Sequence, residues 1–280
     1  MRVDFWGTRG SIATPGAETS RYGGDTSCVS VASGDAEHLL VLDAGSGIRR
    51  LGLAIDRSVT RIDLLLSHLH LDHIVGLGFF APLFRPGVAI TIWGPPANAP
   101  LVDRLGRYLS PPLFPVRLRD LQSSLELRDV PRAPFTVGQF TVAAEAVIHP
   151  DPAVGYRVAD DGRCVAYLPD HEPALGPDFP SDSAWTSGAG VAAEADLLIH
   201  DAQYTADEYA EHVGWGHSSV DQAIAFADLV GARRLALFHH DPSRTDDQVD
   251  ALLAHAARAR VAGDVVAAGE GMSISLEAGS

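Results

Sequence analysis

The sequence predicts an α/β fold, two packed β-sheets flanked by helices, in one domain spanning residues 1–280. Apolar runs of strand length come first in each half, and helix-spaced segments follow them. Hydrophobic residues make up 46% of the chain without a low-complexity run, so a large core is available. No linker of the kind that separates domains interrupts the rhythm.

Residues 2–6 alternate polar and apolar and are expected as a strand, turned sharply by Gly7-Thr8-Arg9-Gly10-Ser11. Residues 14–25 are rich in Gly, Pro, Ser and Thr and read as a loop. Residues 28–31 and 39–42 are expected as a hairpin pair, followed by Asp43, a strand-end carboxylate open to metal ligation but more often suited to tying loops together by hydrogen bonds, and a helix starting at Ile48. The apolar run 62–66 is a strand, and Ile74-Val75-Gly76-Leu77 opens the next helix. A strand at 89–93 and a helix at 101–109, stopped by Pro111-Pro112, come next. A strand pair turns around Gly138, and residues 155–158 and 164–168 form a hairpin that ends at Pro169-Asp170-His171. Residues 173–190 read as loop, 195–199 as a strand ending in His200-Asp201, and 223–229 as a helix with a serine ahead of it in capping position. A strand at 234–238 runs into His239-His240, a helix covers 246–262, and two short strands close the chain.

Composition excludes several classes. No 18-residue apolar span and no charged-then-apolar leader are present, so no membrane partner and a cytoplasmic location are expected. Cys28 and Cys164 lie far apart and imply neither a disulfide framework nor a structural zinc ribbon. A net charge of −15 argues against a nucleic-acid partner, though a small anionic substrate stays compatible with a local metal field. All 21 basic residues are arginine, which removes Schiff-base and P-loop lysine chemistry.

The chemistry concentrates in Ser67-His68-Leu69-His70-Leu71-Asp72-His73, with three histidines and an aspartate between positions 68 and 73. An extended loop at a strand's end lets alternate side chains converge, and imidazoles with carboxylates are what zinc and related divalent ions prefer. Further strand ends carry His149, Asp170, His200-Asp201 and His239, so all could line one rim.

The order H-x-H-x-D-H, then His, Asp and His at strand ends, resembles the metallo-β-lactamase superfamily of binuclear metal hydrolases over nearly the whole chain. The resemblance implies a four-layer αββα sandwich and two divalent ions, zinc first and manganese second. His68, His70 and His149 would hold one ion, Asp72, His73 and His239 the other, with Asp170 bridging. Phe5-Trp6-Gly7-Thr8-Arg9-Gly10-Ser11 and Gly214-Trp215-Gly216-His217-Ser218-Ser219 resemble the phosphodiesterase branch that contains tRNase Z and the phosphoribosyl cyclic phosphate phosphodiesterases. That implies hydrolysis of small, including cyclic, phosphodiesters by attack of a metal-bridging hydroxide, and allows a homodimer. Asp72 would orient the water and His217 would serve as the non-ligand catalytic histidine, its alternative being helix capping near Ser218. Arg9 stands open between phosphate contact and bracing, and His200-Asp201 reads as support for the site. Only 20 residues separate His149 from Asp170, so the tRNA-gripping arm of tRNase Z has no room there. A glyoxalase-II-like thioesterase and a non-catalytic metal-containing sensor are the competing readings. The Gly-x-Gly-His-Ser stretch counts against the first, and turnover of a generic phosphodiester separates the second.

Overall fold

The computed structural model describes residues 1–176, 179 and 182–277. A seven-stranded first sheet holds β1 (Arg2–Gly7), β2 (Cys28–Ala32), β3 (His38–Leu42), β4 (Arg61–Leu65), β5 (Ala89–Gly94) and β6 (Ser124–Asp129). The second, also seven-stranded, holds β7 (Phe135–Val137), β8 (Phe140–Ala146), β9 (Val154–Asp160), β10 (Arg163–Leu168), β11 (Leu197–Asp201), β12 (Arg234–Phe238) and β13 (Asp264–Ala267). The last strand, β14 (Ser273–Ser275), returns to the first sheet and pairs antiparallel with β1. The helices are α1 (Ile48–Ala54), α2 (Leu71–Ile74), α3 (Leu101–Tyr108), α4 (Ala189–Ala192), α5 (Ala206–Glu211), α6 (Val220–Leu229) and α7 (Asp246–Ala259).

Period-two alternation sorts the side chains into three cores. Val3 and Phe5 of β1, Leu40 and Leu42 of β3, and Ala236 and Phe238 of β12 enter the core between the sheets. Their neighbours Trp6, Leu39 and Val41 face α1 and α3, which cover the first sheet with Ile48, Leu51 and Leu105. Leu235 and Leu237 face α4, α6 and α7, which contribute Ala192, Phe226 and Ala256. Helix, sheet, sheet and helix follow one another, which is the expected αββα sandwich.

Each sheet is half antiparallel and half parallel. Strands β3, β4, β5 and β6 run parallel in the first, and β10, β11, β12 and β13 run parallel in the second. Ligands collect beyond the carboxyl ends of parallel strands, where chain leaves the sheet and side chains are free to converge. Asp43, His68, Asp170 and His239 all follow such ends, after β3, β4, β10 and β12.

Several elements depart from expectation, among them the short helices α4 and α5, which the sequence pattern does not announce. The helix expected from Ile74 begins at Leu71, so Asp72 and His73 sit on its single turn, because His70 stays extended (φ −64°, ψ 153°) and acts as its N-cap. The last long helix ends at Ala259, short of 262, where Arg260 turns extended at ψ 131°. Strand β6 is one the sequence pattern does not predict: its alternating Ser-Leu-Glu-Leu-Arg-Asp is an edge strand with no fully buried residue. The loop expected at 173–190 falls partly on 177, 178, 180 and 181, outside the described residues, and its far end starts the four-residue α4. Capping boxes start α5, α6 and α7, with Thr205, Ser219 and Thr245 as the caps. No described helix is long and apolar enough to cross a membrane.

Arg9 is fully buried and braces the fold. Its Nε donates to the Gly23 carbonyl at 2.8 Å, and one terminal nitrogen donates to the carbonyls of Asp241 and Arg244 at 3.0 and 2.7 Å. Burial lowers its pKa against the opposing charges of Asp246, Asp241 and Glu270. Arg9→Met should destabilise the protein by roughly 2–4 kcal/mol in urea unfolding, because two buried carbonyls and one half-buried carbonyl lose their donor. An unchanged midpoint would remove the bracing role.

Candidate metal centre

Two clusters of ligand-type atoms share one carboxylate at the carboxyl ends of the parallel strands. His68, His70, His149 and Asp170 bring one such atom each within 4.8 Å of one another, and so do Asp72, His73, Asp170 and His239. All seven candidate ligands are therefore gathered in one place. The Asp170 Oδ2 lies 3.7 Å from His68 Nε2 and 3.8 Å from His149 Nε2. Its Oδ1 lies 2.9 Å from His73 Nε2 and 3.3 Å from His239 Nε2. Asp72 Oδ2 lies 3.2 Å from both His73 and His239 and accepts the Ser11 amide at 2.9 Å.

The second nitrogen of most rings is held from outside, which fixes the face presented inward. His73 Nδ1 bonds Asp43 at 2.7 Å, His70 Nε2 bonds Asp151 at 2.9 Å, and His239 Nδ1 bonds Gln203 at 2.9 Å. Asp43 also accepts the Ser67 amide and hydroxyl at 2.7 and 2.8 Å, and the Tyr167 hydroxyl at 2.9 Å. Since Tyr167 belongs to β10, Asp43 ties the floor of the site to both sheets, the tying role its sequence position suggested. Asp151 and Gln203 were missed by sequence reasoning. Asp151 carried a signal, two positions after His149, whereas Gln203 carried none.

Backbone strain gathers here as well. Ser11, Asp43 and His239 each hold φ at +58°, a region that non-glycine residues rarely adopt and that folds tolerate mainly at functional sites. Glycine is needed where the backbone passes closest. A Cβ on Gly10 would sit 2.5 Å from the His239 ring, and one on Gly216 (φ +85°) would sit 2.6 Å from His149.

His217 stands beside both clusters, its ring stacked on His239 with centroids 5.0 Å apart. Its Nδ1 bonds Asp201 at 2.7 Å. Asp201, His217 and His239 also form a ligand-like group. However, Asp201 already accepts the amides of Gln203 and Ser218 at 3.0 and 3.2 Å, so its oxygens are committed to holding the loop and the imidazole. His200, at the same strand end, bonds His171 at 2.8 Å, away from the clusters.

The charges are set for a cation. Burial lowers the pKa of His68 and takes that of His149 down to about 4, so both rings stay neutral, the ligating form. Burial also opposes a charge on His73, but Asp170, Asp72 and Asp43 hold its pKa well above the usual value. Asp72 and Asp170 lie below the usual carboxylate range: burial raises them, and the facing imidazoles outweigh it. In the metal-free protein the proton on His73 thus supplies positive charge that two ionised carboxylates demand. A bound cation would supply that charge in its place.

His217 differs. Burial would lower its pKa, yet Asp201, Asp170 and Asp72 raise it to about 9. It carries a proton through the neutral range.

Residues 38–240 match the family model described as "Beta-lactamase superfamily domain". Ribonuclease Z of Myxococcus xanthus is 28% identical over 85% of this chain and 88% of its own length. Among solved structures, the metallo-beta-lactamase fold protein YhfI from Bacillus subtilis superposes with a TM-score of 0.72 at 23% identity, covering 98% of both chains. The short form of human tRNase Z gives 0.68 at 24% identity, over 99% of this chain and all (100%) of that one. The expectation that nucleic acid is not a partner is overturned by these relatives, which are ribonucleases by name. It rested on the net charge of −15, a sum over the whole surface that says little about the field inside a cation-binding cleft. With the model matching more than half its length, the chain belongs to the metallo-β-lactamase superfamily, in its phosphodiesterase branch.

Proposed function

We propose that residues 1–280 act as one unit that hydrolyses phosphodiesters in the cytoplasm with two divalent ions, zinc or manganese. RNA is the substrate class, by the names of the relatives. His68, His70 and His149 hold one ion, Asp72, His73 and His239 the other, and Asp170 both. The observation that carries this reading is Asp170, with one carboxylate oxygen toward each cluster. The donor set fits: Nε2 of His68 and of His149 are buried without a hydrogen-bond partner, a state that a bound cation relieves. Imidazole and carboxylate oxygen suit both metals. When bound, such a pair supplies a water acidic enough to attack at neutral pH and positive charge for the phosphoryl oxygens.

The chain's own residues do the rest. Asp72, fixed by the Ser11 amide, orients the attacking water by accepting its hydrogen bond. His217 has Nδ1 committed to Asp201, so Nε2 carries the proton for the departing oxygen. Asp201 positions that ring and keeps it charged.

Small diesters, cyclic ones included, are a second reading. It is favoured by the chain between His149 and Asp170, which is filled by the hairpin of β9 and β10 and carries no arm. Metal analysis together with hydrolysis of bis(p-nitrophenyl) phosphate, a cyclic nucleotide panel and a short oligoribonucleotide tests all of this. Two equivalents of metal and turnover abolished by chelation are expected. Bound metal without turnover of any diester would leave the sensor reading in its place.

Asp151→Asn tests the first cluster. Losing the carboxylate behind His70 should weaken metal binding about 10–100-fold in competition with a chelator. Unchanged affinity would mean that the Asp151 contact does not orient a ligand.

A further inference from the structure

A cavity of about 430 Å³ opens directly beside the first cluster, with the candidate ligand His70 in its wall. Its other walls are mainly apolar: Leu69, Leu71, Ile74 and Leu113. Leu71 and Leu113 are 64% and 70% exposed, unusual for large aliphatic side chains unless the surface takes a partner. The charged groups around the cavity are not equivalent. Arg104 is spent on the carbonyls of Ala99 and Pro95, at 3.0 and 2.7 Å, and on Asp129 at 3.1 Å. Asp151 is spent on His70. Arg107, exposed on the last turn of α3, has no hydrogen-bond or ion-pair partner among the described residues.

We propose that this cavity is a nucleotide subsite of the site described above. It seats the base next to the scissile phosphate against the leucine walls, while Arg107 pairs with the next phosphate along the strand. The inference rests on the phosphodiesterase reading and names what lies on one side of the cleaved bond. An apolar slot with one free guanidinium, adjoining a phosphodiester site, matches the repeat of RNA, a planar base followed by an anion. Walls of this kind take any base by burial of its faces, and arginine takes a phosphate by a charge-assisted pair. The chain is strongly acidic, so an unpaired arginine here is a local reversal of sign where a second phosphate would arrive.

The test uses the full chain, metal-loaded and carrying His217→Ala to suppress turnover, with a fluorescein-labelled hexauridylate read by anisotropy across a salt series. Arg107→Ala should weaken binding about tenfold and make the slope of log affinity against log salt shallower by about 0.7, the signature of one lost contact to a single strand. Leu113→Ala should weaken it by a similar factor with the slope unchanged, because it removes apolar burial and no charge. In the metal-loaded enzyme with His217 intact, Arg107→Ala should lower the ratio of kcat/KM for UpUpU over UpU about tenfold, since only the longer substrate offers a neighbouring phosphate. Unchanged affinity and slope in Arg107→Ala, or no binding of the hexauridylate by the chain that keeps Arg107, would overturn the subsite even if bis(p-nitrophenyl) phosphate is turned over. Binding with the expected losses but without hydrolysis of any diester would uphold the subsite and remove the hydrolase reading instead. Equal loss of kcat/KM on both oligonucleotides, with a lowered Tm, would make Arg107 a structural residue and also overturn it.

Discussion

Asp170→Asn is expected to lower kcat/KM for a phosphodiester by roughly 10³-fold or more, about 4 kcal/mol of transition-state stabilisation. Asparagine matches aspartate in size, but it offers one oxygen instead of two and no charge. The geometry gives the reason for so large an effect: the two Asp170 oxygens face different clusters, Oδ2 toward His68 and His149, Oδ1 toward His73 and His239. One cluster therefore loses its Asp170 oxygen outright while the other keeps only a neutral amide oxygen, and metal content should fall from two equivalents to one or none. Removing the charge also relaxes the hold on His73, whose protonated form depends on Asp170 together with Asp72 and Asp43. Elemental analysis beside a thermal melt checks the claim. Two retained ions would show that Asp170 does not bridge. Acid should act in the same direction, because ligating imidazoles must be neutral, so metal loading should fall as pH falls.

His217→Ala should reduce kcat by about 10²–10⁴-fold while leaving metal content at the wild-type level. This ring belongs to neither ligand cluster that contains Asp170, and its Nδ1 is occupied by Asp201. Its pKa, raised to about 9 chiefly by Asp201 against the effect of burial, sets the sign of the pH dependence. The protonated donor is present below the folded pKa and is lost as pH rises through it. Wild-type activity should therefore fall on an alkaline limb no higher than about 9, since bound cations oppose protonation and can only move it down. The stability that this histidine contributes follows the same course. It is full below the unfolded value of 6.5 and gone above about 9. The limb should vanish from the His217→Ala profile and shift to lower pH in Asp201→Asn. Loss of metal from His217→Ala would instead make it a ligand.

Much of the fold was readable from the sequence because strand and helix periods are local. The β1, β3 and β12 side chains divide between inner and outer cores as alternation requires, and Ser219 caps α6 where a cap was expected. Reading failed where pattern gave way to context. Strand β6 is held by pairing with β5 at an edge, with little burial of its own. Helix α2 starts at Leu71 because His70 is extended by the site it serves. The exclusion of nucleic acid failed for a different reason: net charge averages over a surface, and a cleft does not.

By itself the sequence determined which residues are ligand-type and that they follow strand ends, since the dense segment at 68–73 and the later single histidines are facts of order along the chain. It also determined two sheets flanked by helices, from the order of strand-length apolar runs and helix-spaced segments, while the four-layer αββα order was what the family resemblance implied. Only the tertiary structure decided how the donors divide. That Asp170 reaches both clusters, that Asp151 and Gln203 stand behind His70 and His239, and that Arg107 is left free beside an apolar cavity all depend on contacts between distant segments. Spacing along a chain fixes the reach of neighbours a few residues apart. The meeting of Asp43 with Tyr167, 124 residues later, is set by the packing of one sheet on the other.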